Sequence, residues 1–411
     1  MGMRFAKRDF GIRGVAFSLV LAAGTLSSAS AQDAFRYRHY AGDKWHLTST
    51  VDEDVLIDGE FLYGTEILNK ISVEIREGEG GDGVLWNRYS IAERSPDSDV
   101  YAWSEEYEAA YSRDESGRLG GLPPDSTVPM VRDVPVFPDY PLSPGDAWTA
   151  RGVEVFDLAP SFGIPAVLEI PFEAEYRYVG PVERDGRSLH SVSIEYGFSW
   201  RPDAEDGMRR YAFFPEEIAG VFDQEVLWDG TAGRNYAEEG RFSYTYAMND
   251  GHSYTFRGAS RGEAVYAEPM DRDALVEEIE ELSDDLGGIS AQSVEEGVSV
   301  TLEDIHFKPD RAEMLPGQDD LLARIAGVLS RYPERDILVV GHTAKIPGYG
   351  DGRELSEMRA QTVARYFIDN GVRDASQVMT RGMGNTAPVG DNATEEGRRR
   401  NRRVEIIILE N

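Results

Sequence analysis

The chain has 411 residues, no cysteine, and a formal charge of −32 from 42 basic and 74 acidic residues. Such a surface repels nucleic acid and anionic membranes, and without cysteine there is neither a disulfide nor a lipidated cysteine. A composition 41% hydrophobic and 10% aromatic supports packed cores rather than disorder, and the length predicts more than one domain.

Residues 1–31 read as a cleaved secretory signal. Arg4, Lys7, Arg8 and Arg13 give the positive start, Val15 to Leu26 the apolar stretch, and Ala29-Ser30-Ala31 a small-residue cleavage site. The stretch is too short for a membrane anchor, and no other stretch approaches the ~20 apolar residues of a spanning helix. The expectation is an exported periplasmic protein with no membrane-spanning segment once the signal is removed.

From about Phe35 to Tyr266 the pattern is all-β. Phe172, Ala174, Tyr176 and Tyr178 alternate with polar residues, as do Val192, Ile194, Tyr196, Phe198 and Trp200. Phe242, Tyr244, Tyr246 and Met248 lead into Asn249-Asp250-Gly251, whose Asp-Gly step predicts a hairpin turn. Antiparallel sandwich or barrel-like sheets follow. The seven prolines between Leu122 and Gly145 break the pattern. The expected organisation is a β unit at 32–121, a Pro-rich crossing loop at 122–145 and a second β unit at 146–268.

This region shows no chemistry. His39, His46, His190 and His252 lack metal-ligand spacing, and Asp52-Glu53-Asp54 lacks the spaced oxygens of a calcium loop; a solvated acidic face explains it. Trp103, Tyr107 and Tyr111 could form a binding platform, but core packing explains them more simply.

Residues 269–292 are expected to be an acidic helical linker. Leu275, Ile279, Leu282 and Leu286 mark one apolar stripe over Asp271 to Leu286, and Gly287-Gly288 stops it. The last domain, 293–411, opens with the strand Val298 to Leu302, and a helix follows over Asp320 to Tyr332. Ile337 to Val340 is a short apolar run, as in a strand covered on both faces. Leu355, Met358, Val363, Tyr366 and Phe367 follow helical spacing, and Gly371 sits where a C-cap belongs. Arg359 lies four residues from both Leu355 and Val363, on that same stripe. A cation there needs a partner. Three readings stay open: a ligand carboxylate, for which the planar guanidinium is suited; an internal salt bridge, with Glu405 as candidate; or a snorkelling stem.

Gly341-His342-Thr343, Leu355-Ser356-Glu357-Met358-Arg359-Ala360 and Asn392 to Arg403 occur in an order and spacing that resembles the OmpA-like peptidoglycan-binding family. That family includes outer-membrane anchors, peptidoglycan-associated lipoproteins and flagellar stator proteins. The resemblance covers about the last quarter of the chain. It implies a β-α-β-α-β-β sandwich with two helices on one mixed sheet, Val404, Ile406 and Ile408 facing the helices. Ile407 and Leu409 imply cover on the other face. The implied wall-binding residues are Thr343, Ala344, Arg359, Asn392 and Arg402. One departs from the family: an Asp usually follows Gly-His-Thr and, with the Arg, clamps a zwitterionic diamino acid of the peptide stem. Here it is Ala344, and the Asn that usually precedes the Leu-Ser pair is Gly352. Asp351 and Glu354 are candidates to replace the acid.

The expected function is a non-enzymatic envelope protein that links peptidoglycan to another component through the β region. The alternative is a domain that has lost wall binding and serves as an interaction module. No nucleophile–base pair or metal constellation supports an enzyme, and no cofactor is expected.

Overall fold

The computed structural model describes residues 35–203, 207–265, 270–286, 289–302, 305–308, 310–345 and 350–410, with the backbone alone for 282–286. The expected signal at 1–31 lies outside the described residues, as do Gly287-Gly288 and the side chains of Leu282 and Leu286.

Alternating side chains drive the first region into long antiparallel strands. β1 (Lys44–Ile57), β2 (Glu60–Gly78), β3 (Gly83–Arg94) and β4 (Tyr101–Arg113) form one meander. Two short strands follow: β5 (Leu119–Gly120) pairs with β4, and β6 (Val131–Arg132) pairs with the strand after it. The second meander runs through β7 (Ala147–Asp157), β8 (Val167–Arg184) and β9 (Arg187–Trp200), with a one-turn helix α1 (Ala159–Phe162) after β7. It continues through β10 (Pro215–Asp229), β11 (Arg234–Met248) and β12 (Ser253–Val265). The β11–β12 turn carries Gly251 at φ +91°, as the Asp-Gly step predicts.

β1 pairs with β2 along one edge and with β12 along the other, from His46↔Val265 to Ile57↔Tyr254. The strands of the two expected β units are thus hydrogen-bonded into one antiparallel sheet. Period-two alternation marks a strand's faces but says nothing about its edge partners. The predicted alternating aromatics form a cross-strand stack on one face. Phe172 lies 3.9 Å from Tyr196, and Tyr196 lies 4.9 Å from Phe222. Gly152 leaves room for that stack, since a Cβ there would sit 2.5 Å from Phe172 Cζ. Tyr111 is buried in a core of its own, in keeping with the packing explanation, and Trp103 is half-buried.

The C-terminal region adds α2 (Arg272–Leu286), β13 (Ile289–Val294), β14 (Gly297–Leu302) and α3 (Asp319–Leu329). Then come β15 (Ile337–His342), α4 (Arg353–Asp369), β16 (Val378–Gly384), α5 (Glu395–Asn401) and β17 (Val404–Leu409). The strand order is β13-β14-β17-β15-β16, with β15 and β16 parallel. The predicted β-α-β-α-β-β sandwich is present, with the hairpin strand β13 and the short α5 added to it. Val404, Ile406 and Ile408 pack with Leu322, Val363 and Phe367, as expected. Leu275 and Ile279 of α2 join that core, so the acidic helix packs on this domain. Ile407 is covered on the opposite face by Leu68, Ala92 and Tyr101 of the first meander. The cover is also a hydrogen-bonded one: β4 adds to the edge of β16 in parallel, with Met379↔Tyr101 and Thr380↔Ala102.

Candidate functional site

The site is assembled where β15, α4 and the loop before α5 converge. Gly341 allows that approach. A Cβ there would stand 2.0 Å from Ser356 O of α4. Gly352 begins α4 at φ +73°, and a Cβ on it would meet Thr343 Oγ1 at 2.3 Å. Thr343 N donates to Gly384 O at 2.8 Å, while its Oγ1 is buried without a hydrogen-bond partner. Ala344 is buried. His342 is buried too, and burial, with the Arg403 guanidinium beside it, pushes its imidazole down to about 4, so it is neutral.

Asn392 joins two loops. Its Oδ1 accepts from Lys345 N and from Asn401 Nδ2, both at 2.9 Å. Asn401 in turn accepts from Val389 N and Gly390 N. Thr394 caps α5 by accepting from Gly397 N at 3.0 Å. Arg402 donates to Glu395 Oε1 at 2.8 Å. Asn392 and Arg402 are therefore occupied within the domain, Asn392 as the clasp that holds the end of β15 to the α5 loop.

Arg359 is different. Its Nε donates to Arg311 O at 3.1 Å, and its guanidinium carbon lies 5.0 Å from the centre of the Phe307 ring. No carboxylate among the described residues comes within ion-pair distance of it. Burial lowers its pKa, Asp310 opposes that shift, and the positive charge of Arg402 adds to it. The candidate internal partner is engaged elsewhere: Glu405 accepts from Arg403 Nε at 2.7 Å and lies 3.4 Å from His342 Nε2. The predicted stripe also needs correction. Ser356, Ala360, Val363, Ala364 and Phe367 are buried, Met358 is 42% exposed, and Arg359 flanks the buried face.

Of the two candidate replacement acids, Asp351 accepts from Arg353 N at 3.0 Å and so serves the start of α4. Glu354 is exposed in the first turn. The carboxylate that acts on Arg359 is Asp310, held at φ +54°. Sequence reasoning missed it, because no periodicity marks a loop and only the fold brings that loop over α4.

The fold of this region is that of an OmpA-like α/β domain. Residues 306–402 match the OmpA family, and this part of the chain belongs to that family. It is 34% identical over 130 residues to a probable lipoprotein, YiaD, of Escherichia coli K12, covering 31% of this chain and 59% of that protein. It is 36% identical over 110 residues to the peptidoglycan-binding protein ArfA of Mycobacterium bovis, covering 27% of this chain and 33% of that one. The chain thus spans about a third to three fifths of these relatives. The cell wall anchor of the type VI secretion system of Pseudomonas aeruginosa is 29% identical, with 35% of this chain and all of that one covered and a TM-score of 0.30. No helix among the described residues is long and apolar enough to cross a membrane.

Proposed function

We propose that the chain is a non-enzymatic protein of the periplasm whose OmpA-like domain binds the peptide stem of peptidoglycan and whose β region engages another envelope component. The observation that carries this is Arg359: a half-buried guanidinium oriented by Arg311 O and Phe307, with no carboxylate among the described residues paired to it. A buried charge without a partner is costly, and a stem carboxylate would complete it through a charge-assisted pair. Asp310 would meet the ligand's ammonium in place of the acid missing at Ala344. The relation to a protein named as peptidoglycan-binding supports this reading.

Co-sedimentation with insoluble peptidoglycan tests it. Wild-type protein should pellet with the wall, and Arg359→Ala should weaken binding by about ten- to a hundredfold, the value of a charged hydrogen bond. Ala344 favours a second reading, a domain that has lost the wall and kept the scaffold for protein contacts. Wild type and Arg359→Ala both remaining in the supernatant would select it.

A further inference from the structure

A second arginine without a carboxylate lies in the β region. Arg113 ends β4 on the face that carries Tyr107, Ala109 and Tyr111. Its cross-strand partner on β3 is Gly83, so no side chain stands directly opposite. His39 occupies part of that space: a Cβ on Gly83 would fall 2.4 Å from His39 Cβ. The Arg113 guanidinium carbon lies 4.8 Å from the centre of the Tyr37 ring and 5.9 Å from that of Tyr111. Its Nε is buried with no acceptor. Among the described residues no carboxylate comes within ion-pair distance of it. Asp133 acts on it through its field, but Asp133 Oδ1 already accepts from Leu119 N at 2.8 Å.

Unused donors gather beside this cation. Tyr89 and Tyr111 hydroxyls are 3.4 Å apart. The pair has two O–H protons and needs only one for the bond between them. His39 is held neutral by burial, with Nδ1 2.6 Å from Gly81 O, so it adds no competing charge. The surroundings are apolar: Trp45, Val73, Ile75 and Leu85 are buried in the same cluster. Two ring faces offset part of the cost of the guanidinium. They leave its buried Nε–H without an acceptor, in a chain with 74 acidic residues.

We propose that the end of β4 is an anion site that takes the carboxylate of an amphipathic organic acid. Arg113 supplies the charge, the Tyr89–Tyr111 pair supplies a second donor, and the apolar cluster receives the start of the aliphatic chain. A strongly hydrated inorganic anion would lose its water there without compensation.

Calorimetric titration of the full chain with octanoate, and separately with inorganic phosphate, tests this. The expected result is one saturable octanoate site per chain, weakened tenfold or more in Arg113→Gln and a few-fold in Tyr89→Phe, with phosphate not binding there. Circular dichroism checks that the variants fold. If Arg113→Gln does not, Arg113→Lys, which keeps the charge but loses the planar fork, takes its place beside Tyr89→Phe. Absence of saturable octanoate binding, binding of phosphate in its stead, or octanoate affinity unchanged in the folded variants would overturn the assignment. Wall binding through Arg359 is read separately, so either conclusion can fail without the other.

Discussion

Lys70 Nζ lies 2.7 Å from Asp336 Oδ2, where the large antiparallel sheet meets the turn into β15. Both side chains are nearly enclosed, at 16% and 8% exposure. The ion pair stands beside the apolar contact of Leu68, Tyr101, Leu338 and Ile407 and the β4–β16 strand pair. Together they join the β region to the OmpA-like domain by backbone, apolar and charged contacts at once.

Removing Lys70 takes a short, nearly enclosed charged contact away from Asp336. Lys70→Ala should therefore destabilise the joined domains by roughly 1.5–3 kcal/mol, the value of a hydrogen bond to a charged group. Urea denaturation followed by tryptophan fluorescence and by far-UV circular dichroism measures this. A midpoint equal to that of wild type would mean that Asp336 is satisfied by other groups and that the contact is not a stability determinant.

The missing acid at Ala344 gives a coupled test of the proposed wall site. Ala344→Asp should tighten binding of a soluble stem peptide with a diaminopimelate-type residue by about ten- to a hundredfold. Arg359→Ala should remove that gain, since both residues would hold one zwitterion and neighbouring effects are not additive. Titration of the wild type, both single variants and the double variant reads the coupling directly. Equal affinity in all four would show that the family's pocket cannot be carried over to this chain.

Gly341 makes a third prediction about geometry rather than charge. An alanine Cβ at 2.0 Å from Ser356 O meets backbone that cannot rotate away, so α4 must move off β15. Gly341→Ala should cost about 1–3 kcal/mol as an overpacking change and should weaken the proposed wall binding, because Thr343 and Arg359 are set by those two elements. A thermal melt with parallel co-sedimentation checks both. Unchanged stability would mean that the strand and helix separate without penalty.

The inner face of the β region makes stability depend on pH. Burial pushes the Glu154 carboxyl up to about 7, although Tyr196 OH donates to it at 2.7 Å. The folded state therefore holds a proton that the unfolded chain releases at ordinary carboxylate pH. The stabilising contribution is complete below about 4.5 and is lost as pH rises through about 7. Glu154→Gln keeps the shape without the titration. Its stability relative to wild type should rise by about 3 kcal/mol between those limits, at ~1.4 kcal/mol per pH unit. Denaturation midpoints at pH 4.5 and 8 measure it, and a parallel pH profile in the two proteins would refute it.

Local periodicity carries much of this molecule. The alternation of Val192 to Trp200, the Asp-Gly turn at Gly251 and the apolar run of Ile337 to Val340 each specify an element from neighbouring residues alone, because side-chain direction repeats with the backbone. The order and spacing of Gly341-His342-Thr343, Leu355 to Ala360 and Asn392 to Arg403 likewise identified the OmpA-like domain. Pairing across distance was not legible. Nothing in β1 says that its second edge belongs to β12, nor in β4 that it extends the sheet at β16, since backbone hydrogen bonds carry no side-chain signature. The same limit applies to charge. The sequence marks Arg359 as needing a partner, but only the fold gives Glu405 to Arg403, brings Asp310 toward Arg359 and leaves Arg113 among tyrosines, because electrostatic partners are chosen by tertiary proximity and burial rather than by position along the chain.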